Sequence, residues 1–192
     1  TLHGSSAASD VYKRQVLDTD AELFHPDFKS QERLGQLLTQ VAGRGGRGIS
    51  SSEIFLQTYY PNHPLLEKLT NGNYKEFLQE IGKEREITSM PPFSFVTLIR
   101  ANSVNEKNVV DFLNLVKKMV ELVEPQSPQN QYLGPIPSML EKRAGRYRYN
   151  FQIKTHTRSK MHILLTKLIE QLSKTKSFSN VRWSIDVDPI EL

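Results

Sequence analysis

The sequence predicts two successive folds: an α/β unit with parallel strands, then an α+β unit of order βαββαβ. Three observations carry that reading. Two short strand-like runs, at 16–18 and 53–60, flank one amphipathic helical stretch, the order of a parallel strand–helix–strand segment. From Phe93 onward the pattern becomes strand, helix, strand, strand, helix, strand, the split-βαβ plan of four antiparallel strands under two helices. Between the halves, Met90-Pro91-Pro92-Phe93 stops a helix and resets the chain.

The 192 residues suffice for one or two small domains with a core, and 38% hydrophobic with 24% charged residues describes a globular chain. No run of about 18 apolar residues marks a membrane span, and no signal-peptide pattern appears. The absence of cysteine excludes disulfides and thiolate zinc sites within the chain and fits a cytoplasmic location. A net charge of +4 is mild, but it is concentrated: residues 141–176 hold ten Lys/Arg against Glu141 and Glu170. A basic stretch of this kind points to a polyanionic partner.

Residues 1–15 show no periodicity, are rich in small polar residues and read as a non-native leader outside the fold. Val16-Leu17-Asp18 reads as a buried strand ending in acids, followed by a loop through Pro26 and Asp27. A helix is expected over 31–42 with Ser30 as its cap, carrying Leu34, Leu37, Leu38 and Val41 at helical spacing. It runs into a Gly-rich turn, then a strand at 53–60 that stops at Pro61. Residues 63–92 read as a helical connector, with Tyr74, Phe77, Leu78 and Ile81 on one face of its longer helix.

In the second half, 94–101 alternates Phe95, Thr97 and Ile99 against Val96, Leu98 and Arg100. A strong amphipathic helix over 105–123 carries Val109, Phe112, Leu113, Val116, Met119, Val120 and Val123. Short strands follow at 132–135 and 147–154, the latter with Tyr147, Tyr149, Phe151 and Ile153 on one face. A helix over 160–173 and a last strand over 180–186 complete the plan, and Asp186, Asp188 and Pro189 read as turn chemistry rather than a carboxylate pair.

The most distinctive stretch is Gln40-x-x-Gly43-Arg44-x-Gly46-Arg47. Two arginines three apart share a helix face, so both guanidinium groups can address one target. A planar, permanently charged guanidinium forks onto phosphate oxygens, and glycines remove bulk where backbone approaches a ligand closely. A flexible Arg-Gly tract that binds nucleic acid is the bland alternative, against which the preceding apolar stripe argues.

This stretch resembles motif VI of superfamily 2 helicases. With Asp18-Thr-Asp20, Pro26-Asp27-Phe28-Lys29 and Glu32-Arg33 upstream, it resembles the primosomal protein N′ (PriA) family of replication-restart DNA helicases. Further matches lie in Leu133-Gly134-Pro135-x-Pro137, Lys142-Arg143-x-Gly145-Arg146-Tyr147-Arg148, the Arg158 region and 181–189, so the resemblance covers essentially 16–192. Met90 departs from the family's usual tyrosine at a packing position.

The resemblance implies a C-terminal fragment of an ATP-dependent 3′→5′ DNA helicase acting at stalled forks. Residues 16–62 would end the second RecA-like lobe, containing motifs V and VI, and 93–192 would form a ferredoxin-like C-terminal domain. Arg44 and Arg47 would act as arginine fingers on the γ-phosphate of ATP, with Gln40 oriented around the same phosphate or the attacking water. Asp18 and Asp20, with Gly43 and Gly46, would couple nucleotide to DNA, although both acids also suit a strand-end cap. Glu32 and Arg33 read equally as an exposed helix face.

Lys142, Arg143, Arg146 and Arg148 interleave with Tyr147 and Tyr149, a combination suited to phosphate contact and base stacking, or simply a strand with solvated arginines over core tyrosines. Arg158 matches a family position that grips the acidic tail of single-stranded DNA-binding protein, or is an exposed helix-start arginine. ATP and Mg2+ would serve the whole enzyme, as would zinc bound elsewhere. His156 and His162 lack a spaced partner set, so no metal site is expected here, and Trp183 reads as core. The chain has no G-x-x-x-x-G-K-[ST] cradle and no acid cluster after an apolar strand, so alone it is expected not to hydrolyse ATP. Forked or single-stranded DNA and other primosome proteins are the implied partners, with no membrane. Another superfamily 2 motor and a non-enzymatic nucleic-acid-binding module are the competing classes.

Overall fold

The computed structural model describes residues 12–43, 52–175 and 178–190. The chain divides into two compact units, the first ending at Ile87 and the second starting at Thr88. In the first, β1 (Tyr12–Val16) leads to α1 (Thr19–Leu23), α2 (Ser30–Gly43), β2 (Ser52–Leu56), α3 (Pro64–Thr70) and α4 (Tyr74–Ile87). β1 and β2 pair in parallel, Tyr12 opposite Ser52 through Val16 opposite Leu56.

The strand thus lies earlier than its apolar end suggested, within the stretch assigned to a leader. Lys13-Arg14-Gln15 do not read as a buried strand because their polar side chains alternate between exposed and half-buried on this two-stranded sheet. Backbone pairing with β2 defines the strand instead. Arg14 also donates to the Val41 carbonyl oxygen at 2.7 Å, at the negative end of α2.

Helices α3 and α4 are part of the first unit's core rather than a separate connector. Leu34 and Leu38 of α2 pack with Leu23, Leu65, Leu66, Phe77 and Ile81. Phe77 is fully buried, and Gly35 of α2 makes room for its ring: a Cβ there would lie 2.3 Å from a Phe77 ring carbon. Leu37 and Leu78, expected on inward faces, are largely exposed.

The second unit contains β3 (Phe95–Ser103), α5 (Glu106–Val123), β4 (Asn130–Arg143), β5 (Arg146–Thr155), α6 (Arg158–Lys174) and β6 (Arg182–Val187). This is the predicted βαββαβ order. The sheet runs β4-β5-β3-β6 with every neighbouring pair antiparallel. Val109, Phe112, Leu113, Val116 and Val120 of α5 meet Met161, Leu164, Leu168 and Leu172 of α6 over Ile99, Ala101, Phe151 and Ile153. Fully burying such side chains contributes about 1.5–3 kcal/mol each before entropy is counted. Trp183, read as core, is a margin residue: it stacks on Phe112 yet stays 40% exposed.

One strand departs from expectation. The sequence predicts β4 as a few residues before Pro137, but it continues to Arg143. It is an edge strand, and register shifts fall between Leu133 and Ile136 and between Pro137 and Lys142. Proline is tolerated at such edge and bulge positions because no ladder hydrogen bond needs its missing N–H. Ala144 and Gly145, both at positive φ, close the β4–β5 hairpin in two residues.

Candidate nucleic-acid interface

Helix α2 delivers the Gln/Gly/Arg stretch. Gln40 is exposed, and the helix ends at Gly43, where an added Cβ would meet nothing within 4 Å. Among the described residues, then, no neighbour crowds Gly43. Arg44, Gly46 and Arg47 lie outside the described residues.

The two motif acids differ. Asp18 is exposed, sits in the left-handed region at φ 54 and makes no side-chain cap to α1. Asp20 accepts from the Thr58 hydroxyl and, at 2.8 Å, from the Tyr59 backbone N–H, fastening α1 to the segment leaving β2. Gln57 and Thr19 continue the connection through Gln57 N–H to Val16 O and Thr19 N–H to Gln57 O.

The Pro26-Asp27-Phe28 loop is held by Arg33 and, through Arg85, by Glu32, two residues whose sequence pattern also suits an exposed helix face. Asp27 is buried, and Arg33 donates to it at 2.6 Å. Glu32 pairs with Arg85 of α4 at 2.8 Å. Arg85 also donates to the Phe28 carbonyl oxygen at 3.0 Å and lies 5.1 Å from the Phe28 ring centroid. Sequence alone could not supply Arg85's role, because its partners lie more than fifty positions upstream.

In the second unit, strand alternation separates the basic cluster from its rings. Tyr147 and Tyr149 share the helix-side face with Phe151 and Ile153, whereas Arg146 and Arg148 point to the other face. Lys142 sits over the Tyr147 ring, 4.5 Å from its centroid, with Nζ 3.2 Å from the phenol oxygen. The Tyr149 hydroxyl donates to Glu106 at the start of α5, and this bond above all pushes its pKa up to about 12. The cluster is therefore not a simple alternation of phosphate contacts and stacking platforms on one surface.

Arg146 instead engages β3. Its Nε donates to Asn102 Oδ1 at 2.6 Å and its Nη2 to the Asn102 carbonyl oxygen at 3.2 Å. Asn102 stands opposite Arg148 on one side and Arg182 of β6 on the other. Neither Asn102 nor Arg182 was singled out from sequence; only the cross-strand register brings them to the hairpin.

Arg158 occupies the first turn of α6. It donates to Asp188 at 3.2 Å and lies 5.0 Å from the Phe95 ring centroid, with its side chain largely exposed. Among the described residues no group of three or more His, Asp or Glu is arranged to hold a metal ion, and no helix is long and apolar enough to cross a membrane.

Comparison with known proteins places this geometry in a family. The model of the primosomal protein N C-terminal domain matches residues 86–190. The Replication restart protein PriA of Haemophilus influenzae is 35% identical over 92% of this chain, and that of Synechocystis is 33% identical over 92%. The chain spans 24% and 20% of those two relatives' lengths. Among solved structures, the de novo designed protein Foldit4 covers 50% of this chain at 19% identity and TM-score 0.34, too weak a likeness to bear on function.

Proposed function

Because the chain belongs to the family of the primosomal protein N C-terminal domain, we propose that it is the C-terminal part of an ATP-dependent 3′→5′ DNA helicase that restarts stalled replication forks. The observation that carries this reading is the 35% identity to a replication restart protein over 92% of the chain, a span that must include both units. In this reading the first unit is the edge of a RecA-like motor lobe and the second is a ferredoxin-like DNA-handling domain.

Arg44 and Arg47 complete an ATP site whose phosphate cradle lies in another lobe, and Gln40 orients around the same γ-phosphate. Charge on that phosphate in the transition state is what a guanidinium stabilises. Gly46 and Gly43 give the backbone room there. Asp20, by fastening α1 to the end of β2, supports a role for the Asp18–Asp20 segment in coupling nucleotide to DNA. This reading assigns Mg2+ and zinc to the rest of the whole protein. Lys142, Arg143, Arg146, Tyr147 and Arg148 contact DNA. Exposed Arg158 receives the acidic tail of single-stranded DNA-binding protein in exchange for Asp188, and other primosome proteins are further partners in the cytoplasm.

DNA-stimulated ATP turnover by the full-length protein tests the proposal, with Arg44→Ala and Arg47→Ala compared with the parent. A second reading, a nucleic-acid-binding module without a motor role, is favoured by the arginines of the hairpin. It predicts that replacing the 142–148 cluster lowers DNA affinity while Arg44 and Arg47 variants change nothing.

A further inference from the structure

The basic surface extends beyond the hairpin onto the face of the second sheet that turns away from the helices. At one end of this face, Val96 and Leu98 of β3 are buried; at the other lies Asn102. Arg148 and Arg182 flank Asn102 in register. With neighbouring strands about 4.8 Å apart, their Cα atoms stand roughly 10 Å from each other across β3. Arg146 closes a third side through its two bonds to Asn102, which leave its Nη1 hydrogens without a partner among the described residues. Arg143, opposite Arg146 across the hairpin, continues the row onto β4. Arg146 and Arg182 also line one open polar cleft with Ser103, Asn105 and Asn180, so the two side chains border one concavity.

No carboxylate forms an ion pair with Arg146, Arg148 or Arg182 among the described residues. The acid on the same face, Asp186, is engaged by Arg100 at 3.0 Å. Glu106 is bound by the Tyr149 hydroxyl on the opposite face, and Glu141, two residues before Arg143 on β4, makes no ion pair with these arginines among the described residues. Arg148 and Arg182 have no hydrogen-bond or ion-pair partner among the described residues. Guanidinium groups gathered in this way repel one another, and a polyanion laid across them relieves that repulsion.

We propose that the row is a phosphodiester track: a nucleic-acid backbone crosses the hairpin end of the sheet, its phosphates taken by Arg146, Arg148 and Arg182. Asn102 is a positioning residue that orients Arg146. The rings of Tyr147 and Tyr149 lie on the other face, so the track reads phosphates rather than stacked bases and is indifferent to sequence. The inference rests on the reading that the hairpin cluster binds DNA, and carries that surface across two more strands.

The test is fluorescence anisotropy of the 192-residue chain with a labelled DNA duplex over a salt series. Arg182→Ala is expected to weaken binding about tenfold and to lower the slope of log affinity against log salt by about one, as loss of one phosphate contact does. Arg182→Lys, which keeps the charge, should retain the slope. If Arg182→Ala binds like the parent while a Lys142→Ala/Arg143→Ala double variant loses affinity, the hairpin binds DNA but the track is wrong. Should neither variant alter binding, the hairpin reading itself fails and takes the track with it. Competition by polyglutamate as effective as that by DNA would overturn the phosphodiester assignment.

Discussion

Arg146 is held across the sheet by Asn102, with Nε 2.6 Å from Oδ1 and Nη2 3.2 Å from the backbone carbonyl oxygen. A neutral amide here orients a cation without neutralising it. Asn102→Asp separates those two effects. The carboxylate keeps the hydrogen bond and, at a partly exposed site, changes stability by no more than about 1 kcal/mol. It also supplies the counter-charge that the row lacks, so DNA affinity should fall at least about tenfold. Thermal denaturation and DNA titration of the same variant check both halves; a parallel fall in stability and affinity would reduce Asn102 to a structural role.

Gly35 and Phe77 set the closest approach of α2 and α4. A methyl group at position 35 would sit 2.3 Å from a ring carbon of a fully buried phenylalanine. Gly35→Ala should cost about 1–3 kcal/mol through overpacking. Pairing it with Phe77→Leu should recover part of that loss, and additive effects in denaturant unfolding would exclude the contact as the cause.

Arg33 and Asp27 form an ion pair in the first unit at 2.6 Å, with the Asp27 side chain 2% exposed. Arg33→Ala leaves that carboxylate without its main partner and, with Arg33 itself partly exposed, should destabilise the unit by about 1–3 kcal/mol. Asp27→Asn/Arg33→Met removes both charges and is expected to be the milder change in the same unfolding experiment.

Two tyrosines set an alkaline limit. Burial, reinforced by Glu124 and Glu121, raises Tyr132 from 10.0 to about 12, and the Glu106 hydrogen bond above all raises Tyr149 to about 12. The folded protein favours the phenol form, so the stabilisation is complete below about pH 10 and is lost as pH rises toward about 12. Tyr149→Phe should flatten the fall of stability in that window and reduce the tyrosinate absorbance that develops at its upper end. An unchanged alkaline profile would contradict the Glu106 contact.

Periodicity made the second unit legible in its sequence. The stripe from Val109 to Val120 and that from Met161 to Leu172 both land on the core, since a 3.6-residue repeat directly encodes which face is buried. β4 was read short because Pro135 and Pro137 look like stops until the strand is known to be an edge with bulges. β1 was misplaced because a polar strand on a two-stranded sheet carries little alternation. The basic cluster was visible as composition, but its division between two faces and its extension to Asn102 and Arg182 depend on register. Lys142 to Arg148 are sequence neighbours; Arg182 becomes one only through β3.

The central claim is that one chain joins a motor edge to a DNA-gripping surface, and the full-length protein can separate the two. ATP turnover at saturating DNA and DNA affinity would be measured for Arg44→Ala and for Arg146→Ala/Arg148→Ala. The account predicts that Arg44→Ala lowers turnover by about 10³-fold or more while affinity holds. Arg146→Ala/Arg148→Ala should lose affinity and keep its turnover once DNA saturates. Undiminished turnover in Arg44→Ala would contradict the motor assignment and leave the chain as a nucleic-acid-binding module.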